Sequence, residues 1–355
     1  MICTLMKIVS KPNNVVLVLG LTWLATGCGG TKQLPIFPGP PVDIESVTPL
    51  GVITPESTSG RLNNLQLIDD NLYATTSGVS GCSVFVNGVE LHLPSLPSGG
   101  TPSLLFIAGG KAYGTAILGV NDVKYFRWNL KGNTVEYLTD QPVAVSPNGR
   151  YVGFAPGSNL VTQPAQILDT VTGKTVTLDQ PVWPLAVADD GSGAATVFNI
   201  SRSLNRFLPN GVVDVNSIAS GTVRTAYPGG ILLGSANFNG RARPVVWKSG
   251  STMYSILSMP ALAIAGTATC MSKTGSIGGS YSTSSSGSFA LAWPDGFHHP
   301  DTSVDLNGQF AGQLALPNGG SLSEIRLFRE NGLGFLGAIN DWDGNPFGCQ
   351  WYGWR

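Results

Sequence analysis

Few residues in this chain have the types and spacing that chemistry needs. Histidine occurs three times, at His92, His298 and His299. His298-His299 follows an Asp295-Gly296 turn, with Asp301 nearby. Two imidazoles and a carboxylate are a set that can bind a metal or pass a proton. On a strand, however, neighbouring residues point to opposite faces, which would keep both rings from meeting one ion. They are expected to be exposed loop histidines. Asp341-Trp342-Asp343-Gly344-Asn345 clusters oxygens as calcium sites do, but it lacks the later ligands and the distal glutamate of a calcium loop. Like Asp69-Asp70 and Asp189-Asp190, it falls where a strand-to-strand turn is expected. No Gly-x-Ser-x-Gly elbow has acid and base partners behind it, and no glycine series forms the Gly-x-x-x-x-Gly-Lys-Ser or -Thr pattern of a phosphate loop. No Cys-x-x-Cys or Cys/His cluster suggests zinc. The residues therefore name no catalytic group, metal or cofactor. Carboxylates such as Asp122, Asp214, Glu324 and Asp341 would gain meaning only if the fold brought them to a shared axis.

Two interleaved series show which elements must do the positioning. A glycine, three residues, then Gly or Ala, around an apolar centre, occurs at Gly110/Gly114, Gly149/Gly153, Gly191/Ala195, Gly230/Gly234, Gly275/Gly279, Gly308/Gly312 and Gly344/Gly348, with a looser start at Asp70/Ala74. Hairpin turns end in glycine at Asn87-Gly88, Lys131-Gly132, Thr172-Gly173, Asn210-Gly211, Ser249-Gly250, Asp295-Gly296 and Asn331-Gly332, spaced 44, 41, 38, 39, 46 and 36 residues apart. Asn-Gly and Asp-Gly are strong hairpin signals, because both central residues need positive φ. Runs rich in β-branched and aromatic residues lie between the turns, such as Lys124-Tyr125-Phe126-Arg127-Trp128 and Phe289-Ala290-Leu291-Ala292-Trp293. Each period supplies four short strands and no useful amphipathic helix. One such sheet cannot bury two apolar faces, but a ring of them can, which predicts an all-β fold, a β-propeller of four-stranded blades. The hairpin series predicts seven blades, and the eight-membered Gly-x-x-x-Gly series leaves eight open. Ile339–Arg355 could be an extra strand pair, or half of an eighth blade completed by Val47–Ile53. Mixing strands from both ends is expected to close the ring. Most aromatics, among them Tyr125, Trp128, Trp247 and Trp293, are expected to pack blades. Trp351-Tyr352-Gly353-Trp354 would close the ring or offer an aromatic platform.

Ser146-Pro147-Asn148-Gly149-Arg150-Tyr151-Val152-Gly153-Phe154 resembles the repeat of Tol-type and WD-repeat-like bacterial propellers, with Asn148 where Asp is usual. Val246-Trp247-Lys248-Ser249-Gly250 and Leu291-Ala292-Trp293-Pro294-Asp295-Gly296, each after its Gly-x-x-x-Gly, are similar to extracellular HAF-type repeats. The resemblance covers most of residues 60 to 350. It implies a fold and little function.

The composition fits an exported protein: of 355 residues 12% are charged, 42% hydrophobic, 46 are Gly and 24 are Pro, with net charge −1. That charge offers no basic stripe for a phosphate backbone and excludes nucleic acid as an expected partner. Residues 1–27 read as an export signal, with Lys7 and Lys11 ahead of an apolar core, Val15–Ala25, too short to span a bilayer. Ala25-Thr26-Gly27-Cys28 resembles a lipobox, although Ala25 stands where Leu is usual. The resemblance implies lipid attachment at Cys28, a membrane anchor, and, with Gly29 next, an outer-membrane or cell-surface location. An ordinary secretory signal with an incidental cysteine is the alternative. Residues 28–45, with Pro35, Pro38, Pro40 and Pro41, read as a semi-rigid tether, and 46–355 as the propeller. Cys82, Cys270 and Cys349 remain in the body. Cys82 and Cys349 could form a clamp between the first and last units, or all three could stay buried thiols. These features point to a monomeric module of the cell envelope that binds or scaffolds protein or glycan. The alternative is an envelope hydrolase or lyase acting on glycan at the propeller channel.

Overall fold

The computed structural model describes residues 46–354 apart from 54–59, 69–70, 79–80, 88, 121, 156–162, 198–202, 219, 284–286, 315, 317–319, 330–333 and 341–345. Cys28, the export signal, Asp341 and Asp343 lie outside the described residues. The body is a ring of seven four-stranded antiparallel sheets. Its opening strand, β1 (Val47–Ile53), belongs to the last blade. Blade I is β2 (Gly60–Ile68), β3 (Asn71–Gly78), β4 (Gly81–Val86) and β5 (Val89–His92). Blade II is β6 (Thr101–Ala108), β7 (Lys111–Gly119), β8 (Asp122–Asn129) and β9 (Thr134–Leu138). Blade III is β10 (Gln141–Val145), β11 (Tyr151–Ala155), β12 (Gln166–Asp169) and β13 (Thr175–Thr177). Blade IV is β14 (Val182–Val187), β15 (Gly193–Val197), β16 (Leu204–Phe207) and β17 (Val213–Ile218). Blade V is β18 (Thr222–Tyr227), β19 (Ile231–Phe238), β20 (Arg241–Trp247) and β21 (Tyr254–Ile256). Blade VI is β22 (Ala265–Met271), β23 (Ile277–Ser282), β24 (Ser288–Trp293) and β25 (Val304–Asp305). A one-turn helix, α1 (Leu306–Phe310), leads to blade VII: β26 (Ser321–Phe328), β27 (Gly334–Asn340), β28 (Pro346–Trp354) and then β1.

The first strands of successive blades pack on one another in order, and β2 also meets β26, so the ring is closed. Seven apolar clusters match the seven blade interfaces. Leu232, Val245 and Trp247 lie between IV and V, Leu291, Trp293 and Leu257 between V and VI, and Leu72, Leu336 and Cys349 between VII and I. Each sheet thus hides its apolar faces against its neighbours. Trp128, Trp247 and Trp293 end the third strands of their blades and are wholly buried, as blade-packing residues should be.

The glycine repeat has a physical origin. Its first member is the left-handed residue of the turn joining first and second strands, as at Gly230 (φ +77°). In blades V and VI its second member answers a bulge. In blade V the ladder skips a residue between Val223 and Thr225, and the displaced strand brings the Thr222 carbonyl oxygen 1.9 Å from where a Cβ on Gly234 would sit. Blade VI repeats this with a skip between Ala268 and Cys270 and Thr267 O 2.0 Å from a Cβ on Gly279.

Two members of the repeat depart from this. Gly308 belongs to α1, whose N-terminus is capped by Asp305, with Gly308 N donating to Oδ1 at 3.2 Å, so Gly308/Gly312 marks the connection between blades VI and VII. In blade VII the series slips by one strand: Gly348 lies in β28, the third strand, and Asn331-Gly332 falls between the first two, β26 and β27. The reason is closure. Blade VII takes three strands from the C-terminal end, and β1 supplies the fourth, with Val47 opposite Trp354 and Ile53 opposite Cys349. There is no eighth blade. The segment Val47–Ile53 does complete the C-terminal sheet, as the fourth strand of the seventh.

Trp354 packs on Phe328 and Phe335, and Tyr352 stacks on Phe335 at 5.1 Å, so the C-terminal aromatics close the ring and do not form an open platform. Cys82, Cys270 and Cys349 are buried and none is in a disulfide; the clamp between the chain ends is strand pairing. Burial pushes the Cys349 thiol up to about 12, in keeping with an inert role.

Candidate functional site

A meander of four strands puts two kinds of connection on opposite faces of the ring. The turn face carries the turns from first to second and from third to fourth strand. The loop face carries the second-to-third hairpins and the links between blades. The chain enters the ring at Val47 on the turn face, opposite the C-terminal end of β28.

Several polar groups of the turn face join neighbouring blades. Gly109 N donates to Gly149 O at 3.1 Å, Asn148 N to Asp189 Oδ1 at 2.9 Å, and Gly229 N to Asp190 Oδ2 at 3.1 Å. Arg206 of blade IV donates to Gly230 O (3.0 Å), Ser251 O (2.7 Å) and Lys248 O (3.0 Å), holding both turns of blade V. Asp189-Asp190 is therefore structural, as a turn reading expects.

In blade III, Asp169 takes the third-strand place that tryptophan fills in blades II, V and VI. It receives Arg150 Nε at 3.1 Å and Nη2 at 2.7 Å and also accepts from Val171 N at 3.0 Å. The Arg150 guanidinium holds its carboxyl well below the usual carboxylate range. A depressed folded pKa stabilises the fold fully above the unfolded value near 4, and that contribution declines below it and is gone once the pH has fallen through the folded value. Asp169→Asn is expected to lose about 1 kcal/mol at pH 7, held low by screening at the half-exposed Arg150. Urea unfolding at pH 7 and pH 3 should show the gap from wild type narrowing in acid; a gap that widens would overturn this account.

The histidine pair meets expectation in part. His298 and His299 are not on a strand. Both backbone amides donate to Asp295 O (3.0 and 2.7 Å), and this tight helical turn brings both rings to one carboxylate. His298 Nδ1 lies 2.7 Å from Asp295 Oδ1 and His299 Nε2 3.7 Å from Oδ2. His299 is exposed, but His298 is three-quarters buried and stacks edge-on with Phe297. Asp301 is exposed and takes no part. Among the described residues no group of three such side chains is arranged to hold a metal ion.

Of the four carboxylates considered for the axis, Glu324 alone is placed on a first strand. Asp122 begins the third strand β8 and is exposed; Asp214 lies on β17, the outer strand of blade IV; Asp341 is outside the described residues. Glu324 sits on β26, where the ladder skips residues twice, between Leu322 and Glu324 and between Ile325 and Leu327. Bulges re-aim side chains, and here they bring Arg326 Nε 2.6 Å from Glu324 Oε2. Arg224, the bulged residue of β18, is exposed. These are the charged first-strand residues whose side chains are described, and they give one region of the channel an ionic character. Burial raises the Glu324 carboxyl above its ordinary value, and the positive charges of Arg326 and Arg224 pull it back. Neither arginine was marked in the sequence. Their signal is the bulge, visible only as the extra residue between the apolar pairs of a first strand.

The loop face carries a groove and exposed apolar side chains. Ile117, Val120 and Val123 crown the β7–β8 hairpin, Phe238 ends β19, and Leu262 and Ile264 lie in the link between blades V and VI, all exposed. A groove of about 320 Å³ opens between blades II and III, lined by Asp140, Phe154, Gln163, Pro164 and Gln166.

No family model matches the chain, and no curated protein matches it in sequence. Solved structures do. An oligogalacturonate lyase in complex with manganese is similar at 13% identity with a TM-score of 0.51, over 89% of this chain and 96% of that one. A prolyl endopeptidase shows 10% identity and a TM-score of 0.52 over 79% of this chain, which spans 46% of the endopeptidase. TolB from Acinetobacter baumannii matches at 10% identity with a TM-score of 0.36, over 88% of this chain and 65% of its own. Likeness at this level concerns the backbone alone: the chain is a seven-bladed β-propeller.

Proposed function

We propose that the chain is a membrane-anchored lipoprotein of the cell envelope, attached through Cys28, whose propeller binds protein or glycan on its loop face as a monomeric binding or scaffold module without a cofactor. The observation that carries this is the groove on the loop face between blades II and III, with outward apolar side chains on the same face such as Val120, fully exposed, and Leu262, 82% exposed. The first described strand of the body starts on the turn face, at Val47.

Photo-crosslinkers at Val120 and Leu262, in cells, test this against one at Val171, an apolar turn-face residue of similar exposure (74%). Discrete adducts from the first two and none from Val171 are expected. Equal labelling from all three would refute a loop-face site. A second reading, a hydrolase or lyase acting on glycan, has one observation in its favour: Glu324, a carboxyl raised by burial beside two guanidinium groups, suits a general base or acid. Turnover of envelope glycan that disappears in Glu324→Gln would favour it; no turnover by the wild type would dismiss it.

A further inference from the structure

Resting on that reading, we infer that the groove between blades II and III is a subsite for an uncharged sugar ring. Phe154 and Gln166 lie opposite one another in the β11–β12 ladder, so their side chains share a face of blade III. That face is turned to blade II, because the Phe154 ring meets the Tyr113 ring edge-on at 6.1 Å. Gln163 and Pro164 approach from the segment before β12, and Asp140 from the link between β9 and β10. The side chains of Asp140, Gln163 and Gln166 have no hydrogen-bond partner among the described residues, whereas Gln141 beside them accepts from the Tyr125 hydroxyl at 3.1 Å.

A half-buried ring, two free carboxamides and one free carboxylate match the two-sided chemistry of a sugar. Its C–H face packs on the aromatic, and its hydroxyls both donate and accept. Each carboxamide supplies two donors and an acceptor, and the carboxylate accepts from adjacent hydroxyls. The groove's volume is at the small end for ligand sites, suited to a short stretch of glycan. Asp140 disfavours an acidic sugar, since no cationic side chain lines the groove to offset its charge.

The test is titration of the full body with cellotriose, chitotriose and tri-galacturonate, followed by saturation-transfer NMR and calorimetry. One uncharged trisaccharide is expected to bind with Kd of about 1 mM or tighter. Gln166→Ala and Asp140→Ala, both surface changes, should each weaken it about tenfold or more, and Phe154→Ala should abolish it. Lys174→Ala, on the turn face, should change nothing. The inference falls if neither uncharged trisaccharide binds, if tri-galacturonate binds as tightly, or if Gln166→Ala and Asp140→Ala leave the affinity unchanged. Loop-face crosslinks to a protein with no sugar binding would sink this inference while leaving the proposed function standing.

Discussion

Gly234→Ala is expected to destabilise the propeller by about 3 kcal/mol or more, a loss of several degrees in Tm. The added Cβ would stand 1.9 Å from Thr222 O, 2.9 Å from its carbonyl carbon and 3.1 Å from Val223 Cα. All three are backbone atoms of the bulged strand, so no rotamer change relieves the clash. Relief requires removing the bulge, and that shifts the register of β18 against β19. Gly279→Ala should behave alike, with Thr267 O at 2.0 Å. Gly153→Ala is the contrast, because its Cβ would meet only side-chain atoms, Pro184 Cβ at 3.1 Å and Val187 Cγ2 at 3.2 Å, which can give by a few tenths of an ångström. Urea unfolding of the three variants checks this. A Gly234→Ala loss no greater than that of Gly153→Ala would show that the bulge does not require the glycine.

The same glycine shows how far sequence reasoning reaches. Period and strand count were legible because turn chemistry is local: a left-handed residue at Gly230 and a hairpin ending at Gly250 are required by a few neighbouring bonds. The slip in blade VII was not legible. Asn331-Gly332 is as good a hairpin signal as Asn87-Gly88, and which strands it joins depends on where the chain stops supplying them. The loop position of the histidine pair was legible, but the convergence of both rings on Asp295 was not, because strand alternation does not hold in a tight helical turn, set by the amides of His298 and His299 returning to Asp295 O. Among the carboxylates, Glu324 was within reach of the sequence, but its separation from Asp122 and Asp214 was not, since that depends on which strand of a blade is innermost. The groove was further out of reach. Phe154 sits inside a quoted repeat, yet Asp140 and Gln163 meet it only after two blades pack.

Strand β1 should prove the costliest element to remove. Deleting residues up to Ile53 would take away every backbone bond between β1 and β28 and leave β28 as an open edge, beside an apolar cluster that includes Phe335, Tyr352 and Trp354. It would also remove buried Val47, whose amide donates to Gln313 Oε1 at 2.8 Å. Since a ring shares its blade interfaces, damage at VII is passed to VI and I. Loss of the single cooperative transition, or a fall in Tm of about 10 °C or more, is expected. The register suggests the remedy. Val47 lies opposite Trp354 and β1 runs antiparallel to β28, so the two are a hairpin lacking only its turn. Moving residues 46–53 to follow Arg355 through a two- or three-residue Asn-Gly turn would give blade VII the same third-to-fourth hairpin as the other six, and shorten the loop that closure must span. That permutant should regain the full-length midpoint in urea and refold faster, because its closing contacts become local. A truncated body that unfolds at the same urea concentration as the intact one would mean that the ring is held by blade packing alone, with β1 a passenger on its edge.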